Sequence, residues 1–88
     1  MPRLVFSERF ADDFARVTSA EVEQRILDDL DNIEAFGGFG SRILPESILE
    51  EFGDVRKVAI NPFDLVYTLD AESDVAYIEA LIFQRSAR

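Results

Sequence analysis

The chemistry open to this chain is narrowed first by what it lacks. Its 88 residues include no histidine and no cysteine. Disulfides, zinc–thiolate sites and thiol nucleophiles are therefore excluded, as is the usual acid/base group near neutral pH. What remains is carboxylates, arginines, one lysine and two tyrosines. The adjacent acids Asp12-Asp13, Asp28-Asp29 and Glu50-Glu51 point roughly 100° apart on a helix, so none makes a two-acid site by itself. They read as solvated surface charge. "DAESD" (residues 70–74) spaces its acids at i, i+2 and i+4, but lacks the length, glycine and terminal Glu of a calcium loop. "FGGFG" (residues 36–40) lacks the spacing of a phosphate loop, and no strand precedes it. No metal or cofactor is expected. More suggestive are Arg56 and Lys57, which interrupt a strand pattern on alternate faces, and Arg85 after the last strand. Arginines gathered near a sheet surface can hold a phosphate or a partner carboxylate. The competing reading is that they form weak surface pairs with the surplus acids.

That surplus is large: 18 acidic residues stand against 9 basic ones, a net charge of −9. Twelve of the acids fall between Glu8 and Glu51, whereas Arg56, Lys57, Arg85 and Arg88 lie in the second half. Direct nucleic-acid binding is not expected from such a surface, because phosphate contact is mainly electrostatic. A small basic site near the C-terminal end stays open. The start, "MPRLVFSERF", has no apolar core of signal-peptide length, and no apolar run reaches membrane-spanning length. The cytoplasm is the expected compartment, with no membrane partner.

The length suits a single domain over residues 1–88 with a two-layer core, and eight Phe can fill its interior. "RLVF" (residues 3–6) reads as a strand, and Ser7 can cap the helix after it, with Glu8 in the first turn. Phe10, Phe14 and Val17 make one apolar stripe. "TSAE" (residues 18–21) has the capping-box pattern and starts a second helix, on which Val22, Ile26, Leu30 and Ile33 share a face. The glycines of "FGGFG" are expected to end that helix in a left-handed cap. "SRILPESILEEFG" (residues 41–53) is undecided: a short helix from Pro45, or an irregular excursion along the sheet.

From Asp54 the period changes to two. "DVRKVAI" is a strand, "NP" a turn, and "FDLVYTL" a strand with Phe63, Leu65, Tyr67 and Leu69 on one face. Asp64, on the other face, reads as an exposed polar residue. "DAESD" is a turn. "VAYIEALIF" is the last strand, with Ala76, Ile78, Ala80 and Ile82 on one face and Val75, Tyr77, Glu79, Leu81 and Phe83 on the other. The fold class is α+β: a β-α-α-β-β-β chain whose helical hairpin packs on a four-stranded, mainly antiparallel sheet. Two helices cover one sheet face. The other is a candidate partner surface, unless residues 41–53 cover it; Phe63, Val66, Val75, Tyr77 and Phe83 are the candidate partner-binding residues.

Taken together, "LVFSERFADDF", "FGGFGSRILP", "FGDVRKVAI", "PFDLVYTLD" and "VAYIEALIFQRS" resemble the RelE/ParE-like toxins of type II toxin–antitoxin modules, also known as plasmid-stabilisation toxins, over nearly the whole chain. The resemblance implies a compact domain whose sheet cradles the functional surface. It also implies a cognate antitoxin whose C-terminal segment wraps the toxin, and a target that is DNA gyrase in the ParE branch or messenger RNA on the ribosome in the RelE branch. A homodimer is a further partner the resemblance allows.

On this resemblance Arg56 matches a family arginine, and Arg56, Arg85 and Tyr67 are the candidate catalytic set if the chain is a ribonuclease. Asp64 stands where relatives commonly have a second arginine, and Phe83 or Gln84 where they often have histidine. Exchanging arginine for aspartate shifts local charge by two units and would repel a scissile phosphate. The implied function is therefore a toxin acting on a protein target such as gyrase. A ribosome-dependent mRNA endonuclease and a non-toxic protein-binding homologue are the alternatives.

Overall fold

The computed structural model describes residues 1–85, so Arg88 lies outside the described residues. In chain order these residues form β1 (Arg3–Phe6), α1 (Glu8–Ala15), α2 (Ala20–Ala35), a 3-10 turn (Gly37–Phe39), α3 (Glu46–Phe52), β2 (Arg56–Ile60), β3 (Phe63–Asp70) and β4 (Val75–Phe83). The sheet order is β1-β4-β3-β2, with β1 parallel to β4 and the other neighbours antiparallel. The expected α+β architecture is present, with a third helix added.

Local chemistry explains the helix boundaries. The Ser7 hydroxyl accepts the Phe10 N–H at 2.9 Å and so caps α1 as expected. The second cap falls one residue later than the capping-box pattern suggested: Ser19, not Thr18, accepts the Val22 N–H. Ile26, Leu30 and Ile33 of α2 are buried with Phe10 against Ile60, Leu65, Tyr67, Ala76, Ile78 and Leu81. Full burial of each such aliphatic side chain is worth about 1.5–3 kcal/mol.

The end of α2 departs from expectation. Its cap is Phe36 in an extended conformation, and the only glycine with positive φ among the described residues is Gly53. The glycines after α2 serve close approach instead. A Cβ on Gly40 would stand 2.7 Å from the Tyr67 ring, and one on Gly37 would stand 2.7 Å from Leu69.

The undecided segment resolves into α3. Ser41 bridges Lys57 at the outer edge of β2, α3 begins after Pro45, and Gly53 at φ 77° returns the chain to the sheet. Ile48 is buried with Val55 and Val66, and Leu44, Phe52 and Ile82 pack around them. This second cluster lies on the sheet face opposite α2, so residues 41–53 cover part of the face that the sequence left open. Arg9 ties α1 to α3, its guanidinium 5.2 Å above the Phe52 ring and 3.1 Å from Glu51.

Strand β4 also differs from a plain alternation. Its register against β3 shifts between Val66 and Tyr67, which pair with Ala80 and Ile78. Glu79 is the extra residue of a bulge, and its insertion exchanges the faces of everything after it. Ala76, Ile78 and Leu81 therefore share the main core, while Ile82 joins the second.

Candidate functional site

Tyr67, one of the three candidate catalytic groups, is fully buried. Its hydroxyl donates to the Gly37 carbonyl at 2.6 Å and accepts the Gly40 N–H at 2.7 Å. Burial pushes its pKa up from 10.0, against opposing pulls from the Gly40 N–H and the Arg56 charge. A phenol held in this way serves the turn after α2; it cannot meet a substrate without unfolding that turn.

Arg56 is committed to the same turn. Its Nη1 donates to the Gly40 carbonyl at 2.9 Å and more weakly to the Gly38 carbonyl at 3.4 Å. The side chain is partly buried and sits on the α2 side of the sheet, beside its cross-strand partner Tyr67. Arg85 is exposed just past β4. Arg56, bonded to the Gly38 and Gly40 carbonyls, is level with Tyr67 and Ile78, so roughly 13 Å of sheet at ~3.3 Å per residue separates its level from Phe83, with Arg85 a further two residues on. The two arginines therefore do not converge on one phosphate, and the candidate catalytic set does not assemble.

The opposite face carries a polar constellation that the sequence reading missed. Asp64 is 2% exposed, not a solvated strand residue. Its carboxylate lies 3.4 Å from the Lys57 ammonium and accepts from Gln84 Nε2 at 3.3 Å. Gln84 also donates to the Phe63 carbonyl. A signal for this was present. The two-residue Asn61-Pro62 connection sets Ile60 opposite Phe63, which places Lys57 and Asp64 diagonally on one face. The face here has a buried carboxylate compensated by the partly exposed Lys57. Its chemistry is poorly suited to gripping a phosphate.

The five candidate partner-binding residues separate into different environments. Val66 and Val75 are buried core positions, at 0% and 4% exposure, which corrects their assignment to an open surface: α3 and its flanks cover Val66. Tyr77 is exposed on the same face as Val66. Phe63 and Phe83 lie on the other face, where their rings meet at 4.8 Å, and Phe83 is 54% exposed. Asp13, expected as solvated charge, is partly buried and accepts the Leu81 N–H at 3.1 Å. It caps β4 where the sheet runs on past β1.

No protein-family model matches the chain. No curated protein matches it either. Solved structures do. The intact RelBE toxin–antitoxin complex of E. coli contains a chain similar to this one, with TM-score 0.73 and 16% identity over 94% of this chain and 96% of that one. A mutant of the E. coli toxin RelE in complex with a peptide of the antitoxin RelB gives TM-score 0.69 and 17% identity, over 91% and 80%. A metal-bound toxin from Helicobacter pylori gives 0.62 and 13%, over the whole of both chains. The chain has the fold of these RelE-like toxins.

Proposed function

We propose that this chain is the toxin component of a type II toxin–antitoxin module, held inactive by a cognate antitoxin and acting by binding a protein, with DNA gyrase the leading target. The shared fold with RelE in its antitoxin complexes supports the toxin reading. One observation carries the choice of a binding mode over RNA cleavage. Asp64, at the place of a phosphate-facing arginine in the family resemblance, is buried in a pair with Lys57 on a sheet face partly closed by α3. Binding a protein surface requires no proton relay and no phosphate cradle, so it loses nothing from this arrangement.

A supercoiling assay tests the reading: purified chain titrated into gyrase, with and without the cognate antitoxin that the reading requires. Inhibition that the antitoxin relieves is expected. Full supercoiling at large excess would remove gyrase as the target. A protein-binding homologue without toxicity is the second reading, favoured by the same missing phosphate chemistry. Growth arrest on induction would rule it out.

A further inference from the structure

Helix α3 is held to the molecule less firmly than α2. Of its seven residues only Ile48 is buried, in a small cluster with Val55 and Val66. Leu49 and Ile43, on the same segment, are 53% and 84% exposed. A helix this short is not stable in water without packing, and both ends of α3 are weak. Among the described residues no side chain caps its start, whereas Ser7 and Ser19 cap α1 and α2. Glu50 and Glu51 stand in its last turn, where the helix dipole disfavours acids and no basic residue offsets them.

One atom opposes docking outright. The Ser47 hydroxyl oxygen is buried with no hydrogen-bond partner among the described residues, and undocking would return it to water. Against release stand the Ile48 cluster and Arg9, whose guanidinium lies over the Phe52 ring and 3.1 Å from Glu51. The Arg9 side chain is 47% exposed, so this latch has only surface strength. The segment is anchored at each end apart from α3. Ser41 exchanges two backbone hydrogen bonds with Lys57, and the chain enters β2 at Arg56. Pro45 and Gly53 bound the helix between them, Gly53 at φ 77°. The stretch between the anchors can therefore lift without unzipping the sheet.

We infer that residues 42–54 form a hinged cover: α3 undocks as a unit, latched by Arg9, while the sheet and α2 stay folded. Release uncovers Val55, Val66 and Ile82 on the sheet face that already exposes Tyr77, so that face alternates between a closed and a more apolar open form. Native-state amide exchange of the whole chain in low urea tests this. The Leu49 and Gly53 amides, bonded to the Pro45 and Leu49 carbonyls, should exchange at least about a hundredfold faster than those of Leu30 and Ile33 in α2, with little dependence on urea. Ser47→Ala should slow α3 exchange about tenfold by removing the unpaired hydroxyl, and Arg9→Ala should speed it about fivefold. Ile33→Val, which weakens only the main core, should speed α2 exchange about fivefold and leave α3 unchanged. Because the chain has no cysteine, the thiol of Val66→Cys reports the uncovering itself. It should react with an aromatic disulfide at least about a hundredfold faster than the thiol of Ile78→Cys in the main core. The cover is overturned if α3 amides exchange with the rate and urea dependence of α2, or follow Ile33→Val by the same factor. Equal labelling of the two thiols, or no slowing by Ser47→Ala, also overturns it.

Discussion

The Lys57 ammonium lies 3.4 Å from the Asp64 carboxylate, and the two sides of the pair are unequally buried: the Asp64 side chain is 3% exposed and that of Lys57 21%. The inequality makes the pair's energetics directional. Removing the lysine strands a buried negative charge, whereas removing the acid leaves a lysine that can turn toward water.

Lys57→Met is therefore expected to cost about 3 kcal/mol of stability and Asp64→Asn about 1 kcal/mol. The double variant Lys57→Met/Asp64→Leu should recover most of the loss, because an apolar pair needs no desolvation of charge. Urea unfolding of the three proteins measures this. Equal costs for the two single variants would mean that the pair is not buried as described.

The Tyr67 hydroxyl holds the turn after α2 by two buried hydrogen bonds. Tyr67→Phe leaves the Gly37 carbonyl and Gly40 N–H without that partner and should cost about 2–3 kcal/mol. Gly40→Ala should disrupt the same contact, since its Cβ would lie 2.7 Å from the Tyr67 ring.

The same phenol sets an alkaline limit. Its pKa is raised above 10.0 chiefly by burial, so the unfolded chain releases this proton at a lower pH than the folded one. The folded state then binds more protons, and stability that is complete below pH 10 falls as the pH rises above it. Thermal unfolding at successive alkaline pH values should show this decline in the wild type and a shallower one in Tyr67→Phe.

Gly53 closes α3 at φ 77° and ψ −133°, a region open essentially to glycine alone. No atom lies within 4 Å of an added Cβ, so Gly53→Ala tests the backbone without steric conflict. A loss of about 1–2 kcal/mol is expected from that strain, measured by the same unfolding titration.

Where the pattern was strong the sequence was sufficient. Alternation in residues 54–69 and the α2 stripe of Ile26, Leu30 and Ile33 encode sheet, helix and core directly. It was weakest where one residue changes the geometry. Glu79 at the bulge reversed the faces of Leu81 and Ile82, and nothing in "IEALIF" marks an inserted residue. Residues 41–53 carry both a proline and an apolar spacing, and only packing on Val66 and Ile82 settles them as a helix. The site depended on tertiary register. Tyr67 and Arg56 have the residue types of a phosphate site, but the chain passing through Gly37 and Gly40 takes both for itself. Asp64 looked solvated because a single strand cannot reveal that Lys57 and Gln84 meet its carboxylate.

On the proposed reading, this RelE-like fold acts by binding protein and has no working phosphate site. The most direct test maps cleavage by primer extension on a message held by translating ribosomes, after addition of purified chain free of antitoxin. An unbroken message is expected at every concentration of added chain. A ribosome-dependent cut that Arg56→Ala or Arg85→Ala abolishes would contradict it.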